Sequence, residues 1–156
     1  MRWRAMTAAD LDAAERIADG VHPDYPEDHA VFAERLRLFP RGCLILNDPP
    51  VGYAIAHPWS LDAPVRLNSL LGALPDAPNT LFLHDIALMP DARGRGDAAV
   101  GVAALEAVAA DLRLPTMSLV AVGRAQSFWL ARGFVAAEGG DVGSYGASAC
   151  YMVKRL

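Results

Sequence analysis

The chain reads as an α+β domain, a mixed and mostly antiparallel sheet flanked by helices on both faces. Three observations predict this. Two helical stretches come early, between a short alternating segment and a pair of apolar runs. A longer helical stretch, rich in small residues, follows a strand-like run in the second half. The remaining strand-like runs succeed one another across short turns, as antiparallel neighbours do. The 156 residues suit one domain over 1–156, and an apolar fraction of 53% leaves ample material for a core.

Arg2–Met6 alternates polar and apolar residues and predicts an edge strand. Thr7 with Asp10 three residues later has the form of a capping box, opening a helix through Leu11, Ala14, Ile17 and Ala18 that Gly20 should end. His22–Asp28 is a loop punctuated by Pro23 and Pro26. A second helix to about Leu38 places Phe32, Leu36 and Phe39 on one stripe, and Pro40 and Gly42 stop it. Cys43–Leu46 and Val51–Ala56 read as antiparallel strands around Asn47–Pro50. Residues 57–79 hold four prolines and read as a long functional loop with a short helix at Leu67–Leu74. Thr80–Leu88 is a strand. Gly96–Leu112 is a helix with Gly101, Leu105, Val108 and Leu112 on one face. Met117–Val122 is a buried strand, Ala125–Arg132 a short helix capped by Gly133, and the remainder, with Tyr145 and Cys150–Val153, supplies one or two closing strands.

Composition narrows the function. A net charge of −4 argues against binding nucleic acid by phosphate neutralisation. No apolar stretch reaches the roughly 20 residues that span a bilayer, and the first residues lack a signal-peptide pattern. Cys43 and Cys150 lie far apart without zinc spacing, as expected of reduced thiols in a cytoplasmic protein. His22, His29 and His57 are scattered without metal-ligand spacing, so no metal site is expected, and surface or loop positions are.

The strongest local signal is the run from Leu83 to Ala98, in which a strand leads through Arg93-Gly94-Arg95-Gly96 into the long helix. Two glycines let the backbone turn so that successive N–H groups point into one concavity. The first N–H groups of a helix have no partner within it, and the helix dipole adds partial positive charge. Together these make a site for a phosphate or pyrophosphate. The P-loop pattern is excluded, because no Lys follows Gly96. The dinucleotide fingerprint would put Ala99 at its last glycine, but no early strand–helix–strand unit surrounds it. Arg-x-x-Gly-x-Gly/Ala is met in register by Arg93, Gly96 and Ala98.

That pattern resembles the GNAT superfamily of N-acetyltransferases. A second element agrees: Ala125-Gln126-Ser127-Phe128-Trp129-Leu130-Ala131-Arg132-Gly133-Phe134 is similar to the family's Ala-x-x-Phe-Tyr-x-x-x-Gly-Phe helix and turn. The interval between the two suits one helix and one strand. The resemblance implies a GNAT-like fold and acetyl transfer from acetyl-CoA to an amine by direct attack, with no acyl-enzyme. It implies that Ile86, Ala87 and Leu88 offer backbone groups to the pantetheine arm. Arg93, Gly94, Arg95, Gly96, Asp97, Ala98 and Ala99 would form the pyrophosphate turn, with Ser127 and Trp129 on the cofactor side. The resemblance makes a homodimer a reasonable default and leaves the oligomeric state open.

Three positions depart from the family pattern. Asp97 stands where an aliphatic residue is usual. Val122 and Gly123 precede the second motif where an Asn often lies. Trp129 stands at the tyrosine that commonly protonates the departing thiolate, and an indole N–H cannot do so. Another residue donates that proton, or water does, or the domain is a non-catalytic acyl-CoA-binding module. Asp85 is the leading candidate base and His84 a second. Adjacent strand residues face opposite ways unless a bulge intervenes. Tyr145 is the leading candidate acid. Asp24, Tyr25, Glu27, Asp28, His57 and Trp59 belong to loops that can recognise the acceptor, and Arg124 or Arg132 to a face that can meet the CoA 3′-phosphate.

Overall fold

A computed structural model describes residues 1–156. In chain order the elements are β1 (Trp3–Ala5), α1 (Leu11–Val21), α2 (His29–Leu38), β2 (Cys43–Leu46), β3 (Gly52–Trp59), β4 (Thr80–Leu88), α3 (Asp97–Asp111), β5 (Thr116–Ala121), α4 (Gln126–Ala131), β6 (Val135–Ala136) and β7 (Cys150–Arg155). The seven strands form one sheet in the order β1-β2-β3-β4-β5-β7-β6, antiparallel throughout except for the parallel pair β4 and β5. No helix is long and apolar enough to cross a membrane.

The pleat divides the core in two. Tyr53, Ile55 and Ala87 on one face bury against Leu11, Ala14 and Ile17 of α1 and Phe32 of α2. Ala54, Ala56, Leu81 and Leu83 on the other face meet Val102, Leu105 and Ala109 of α3, with Trp129 and Phe134. Helices on both faces follow from this alternation.

At the N-terminus Arg4 grips Asp10 with both guanidinium nitrogens, each at 2.8 Å, and the Thr7 amide and hydroxyl donate to the same carboxylate. The Arg4 hydrogen bonds, opposed by burial and reinforced by Thr7, bring the Asp10 carboxyl down to about 2. A free aspartate titrates at about 3.9, so this contribution is complete above about pH 4 and is lost as pH falls through about 2. Urea midpoints measured from pH 5 to pH 2 should therefore fall less steeply in Asp10→Asn than in the wild type.

Several expectations need correction. The first helix does not end at Gly20 but runs on to Val21, with the His22 amide bonded to Ala18 O. Strand β3 continues past Ala56 through His57 and Pro58 to Trp59. Beyond Ile55 it is paired on one side only, where a strand tolerates a residue without N–H. No helix forms at Leu67–Leu74, because Asn68 and Gly72 take positive φ values of 54° and 76°. That segment is pinned instead by its amides donating to Glu27, Glu34 and Ser144 and by Arg35 donating to Ser69 O. The buried face of α3 is Gly101, Val102, Leu105 and Ala109, while Leu112 lies at its exposed end. The stripe on α2 includes Glu34 and Arg35, both buried, beside Val31 and Phe32. Tyr145 sits in a single 3-10 turn rather than a strand. His57 is no surface residue. It lies fully buried in β3 between Trp59 and Phe82, and burial takes its imidazole down to about 3.

Candidate functional site

Strands β4 and β5 share only two register positions, Leu81 with Met117 and Phe82 with Ser118. Past Phe82 the edge of β4 that faces β5 has no ladder partner, and the sheet opens into a wedge. The wedge holds a cleft of about 530 Å³. Its walls are Leu83–Leu88 of β4, Leu119 and Val120 of β5, Val122, and Ala125, Phe128, Trp129 and Arg132 on or beside α4. Val21 and His22 close it from the end of α1.

One end of the cleft is built from backbone. Gly94 and Gly96 adopt φ of +81° and +84°, the left-handed region that lets the chain turn into α3. The amides of Gly94 through Ala99 donate to no protein acceptor; the first helical bond here is Val100 N–H to Gly96 O at 3.2 Å. Six free N–H groups thus cluster at and just before the N-terminus of α3, the kind of array that can receive an anion. Trp3 holds this turn in place: its Nε1 donates to Asp97 O at 2.8 Å, and its ring lies so close to Gly101 that a Cβ there would meet it at 2.6 Å. Arg93 folds back to donate from Nε to Leu88 O at 2.9 Å, and Arg132 stacks over Phe128 at 5.2 Å.

The other end is acidic. Ile55 pairs with Asp85 and Ala56 with Leu83, so His84 is the extra residue of a β-bulge. The bulge turns His84 and Asp85 to the same side, and both line the cleft and a small adjoining cavity of about 50 Å³. His22, Tyr25, Glu27, Leu67 and Tyr145 also line that cavity. Asp85 Oδ1 lies 3.0 Å from His22 Nε2, and Oδ2 accepts the Tyr53 hydroxyl. Burial would raise the Asp85 carboxyl, but the bond and charge of His22, then Tyr53 and His84, hold it below the usual carboxylate range. The Tyr53 hydroxyl is driven well above its ordinary value by burial and by Asp85. His84 Nε2 meets Glu27 Oε1 at 2.7 Å. The cleft thus runs from a set of free backbone amides to two histidine–carboxylate pairs.

A model of the acetyltransferase (GNAT) family matches residues 5–134. The chain belongs to the GNAT family. Solved structures of this family superpose over nearly the whole length. A GphF GNAT-like decarboxylase in complex with isobutyryl-CoA has a TM-score of 0.75 at 21% identity, covering 99% of both chains. Rv2747 from Mycobacterium tuberculosis, in complex with CoA and NLQ, has a TM-score of 0.74 at 16% identity over 100% of this chain and 99% of that one. Arabidopsis thaliana Naa50 with the bisubstrate analogue CoA-Ac-MVNAL has a TM-score of 0.72 at 13% identity over 97% and 95%. No curated protein matches the chain significantly in sequence.

In this GNAT chain the residues singled out from sequence fall into three groups. Ile86, Ala87, Leu88, Arg93, Gly94, Gly96, Asp97, Ala98, Ala99 and Trp129 line the cleft together with His84 and Asp85. Arg95 and Ser127 are exposed and lie outside its lining, although the Arg95 amide is one of the six free donors. Tyr145 lies in the adjoining cavity, where its hydroxyl donates to Val65 O at 2.7 Å and burial raises it above the usual phenol value. Trp129 is buried edge-on to Phe128 and Phe134. Cys43 is buried, which pushes its thiol up to about 12 and leaves it inert as a nucleophile.

Sequence reasoning missed His22 and Tyr53. His22 carries a signal only in retrospect, as a histidine at the end of an amphipathic helix just before Pro23. A tyrosine in an apolar strand reads as core, which Tyr53 also is.

Proposed function

We propose that this protein is an acetyl-CoA-dependent N-acetyltransferase that passes the acetyl group directly to an amine. The observation that carries this reading is the set of six unpartnered amides from Gly94 to Ala99 at the N-terminus of α3. A CoA diphosphate is a doubly anionic group of the right size for such a ring. The free edge of β4 past Phe82 supports a place for the amide-bearing pantetheine arm, since exposed strand groups seek hydrogen-bond partners. The small cavity that meets the cleft at His22, His84 and Asp85 supports a place for the acceptor amine. Both cysteines are free thiols, in keeping with a reducing cytoplasmic setting.

The competing reading, a non-catalytic acyl-CoA-binding module, rests on Trp129 in place of an acidic hydroxyl. Two measurements decide. Isothermal titration with acetyl-CoA should show one site per chain; absence of heat removes the basis of both readings. Thiol release over a panel of alkylamines, arylalkylamines and short peptides with free N-termini should then exceed the amine-free rate for at least one acceptor. Tight binding with no release from any of them assigns the protein to the binding module.

A further inference from the structure

The GNAT chain lacks a tyrosine at Trp129, yet transfer from a thioester must move one proton from nitrogen to sulfur. We infer that His22 carries that proton, held in its working orientation by Asp85 and Tyr53. The inference rests on the acyl-transfer reading above.

The geometry is that of a histidine with one nitrogen committed and one free. His22 Nε2 is 3.0 Å from Asp85 Oδ1, so the carboxylate fixes the proton on Nε2 and leaves the Nδ1 lone pair available. Nδ1 has no protein partner and is not among the fully buried polar atoms. Asp85 is itself immobilised, because its other oxygen accepts the hydroxyl of Tyr53, a fully buried residue. With both oxygens engaged and a lowered proton affinity, Asp85 is a positioning residue for the imidazole rather than the base. His22 also lies where the donor and acceptor spaces join, since it lines both the long cleft and the small cavity beside it. Tyr145 is spent on Val65 O, and His84, which lines both spaces too, has Nε2 on Glu27 and an unpartnered Nδ1 that is fully buried, so His22 is the imidazole at that junction whose free nitrogen is accessible.

The step balances without further reactants. A neutral amine attacks the thioester carbonyl and the N–C bond forms. The proton released from nitrogen passes to His22 Nδ1. As the C–S bond breaks, the imidazolium returns that proton to the CoA sulfur, and Asp85 stays ionised throughout. One residue thus serves as base and then acid, and no hydroxyl is needed at position 129.

Asp85 on β4, Glu27 and Tyr25 on the loop after α1, His84 in the bulge and Arg93 beyond β4 surround His22. Burial lowers the imidazole's proton affinity and Arg93 opposes the charge, but Asp85 and Glu27 outweigh them and the net shift is upward. Because the neutral form is the base, kcat should rise with pH along a limb displaced upward from the ordinary histidine value.

The test uses the full chain with acetyl-CoA and whichever amine of the panel turns over fastest. His22→Gln should lower kcat by about 100-fold or more, a typical loss for an acid–base group, with acetyl-CoA affinity by titration unchanged. His22→Ala should regain turnover in added imidazole. A loss of less than about threefold, or an acid limb that persists in His22→Gln, overturns the assignment while leaving acetyl transfer standing. No thiol release from the wild type sinks both. Wild-type protein provides the measurement that no folding defect can obscure. The acid limb of kcat must coincide with the His22 imidazole titration followed by NMR with acetyl-CoA bound, and a flat profile across that titration overturns the inference.

Discussion

Replacing Arg35 with leucine is expected to destabilise the fold by about 3–5 kcal/mol, the usual consequence of removing one partner from a buried ion pair. The Arg35 side chain is 0% exposed and Glu34 7%. Arg35 donates from Nη1 to Glu34 Oε1 at 2.8 Å and from Nη2 to Ser69 O at 3.0 Å. Glu34 in turn accepts the amides of Leu71 and Gly72 at 2.6 and 3.0 Å. Two adjacent charged residues of α2 therefore tie down the segment that crosses from β3 to β4. Leucine would leave the Glu34 carboxylate facing an apolar neighbour and Ser69 O without its donor. Lysine should not rescue the protein, since an ammonium cannot present the two-pronged geometry that reaches both acceptors. Urea denaturation followed by circular dichroism checks this. A loss under about 1 kcal/mol would mean the pair is no better than a surface one. The double variant Arg35→Leu/Glu34→Leu should lose less than the sum of the single variants, because the second change removes the stranded charge.

Valine at position 96 is expected to weaken acetyl-CoA binding while leaving the domain folded. Gly96 is the N-cap of α3 and holds φ at +84°. A β-branched residue held in that region costs about 1–3 kcal/mol, so the turn would spend most of its time in another conformation. A binding-competent state that is rarely populated lowers apparent affinity in proportion, here by roughly 5- to 150-fold. The cause would be conformational and not steric, since a Cβ on Gly96 meets nothing within 4 Å. Asparagine, which tolerates the left-handed region, should therefore lose much less than valine. Titration with acetyl-CoA ranks the three proteins. Equal affinities would show that the amide ring does not hold the diphosphate.

The two predictions draw on different kinds of information. The Gly94–Gly96 turn was legible in the sequence because its signal is local: two glycines, a strand before and a helix after, within one short segment. The strand Thr80–Leu88, the helix beginning at the turn and the paired motif around Trp129 were legible for the same reason, since periodicity and capping residues act over a few positions. The missed helix at Leu67–Leu74 shows where this fails. The dihedrals of Asn68 and Gly72 are set by hydrogen bonds that arrive from Glu27, Glu34 and Arg35, some forty residues earlier in the chain. Residues 34 and 35 gave no hint of burial, because charge in a helix ordinarily means solvent.

The sequence by itself determined the long helices, most of the strands and the glycine turn that opens α3, all properties that near neighbours in the chain dictate. Only the tertiary structure decided which side chains meet at the opposite end of the cleft. His22 and Asp85 are 63 positions apart, Tyr53 and Asp85 32, and His84 joins them only because one extra residue in β4 shifts the register against β3. Such meetings depend on how α1 crosses the sheet and where a bulge falls, and a one-residue change in register redirects a side chain from one face to the other.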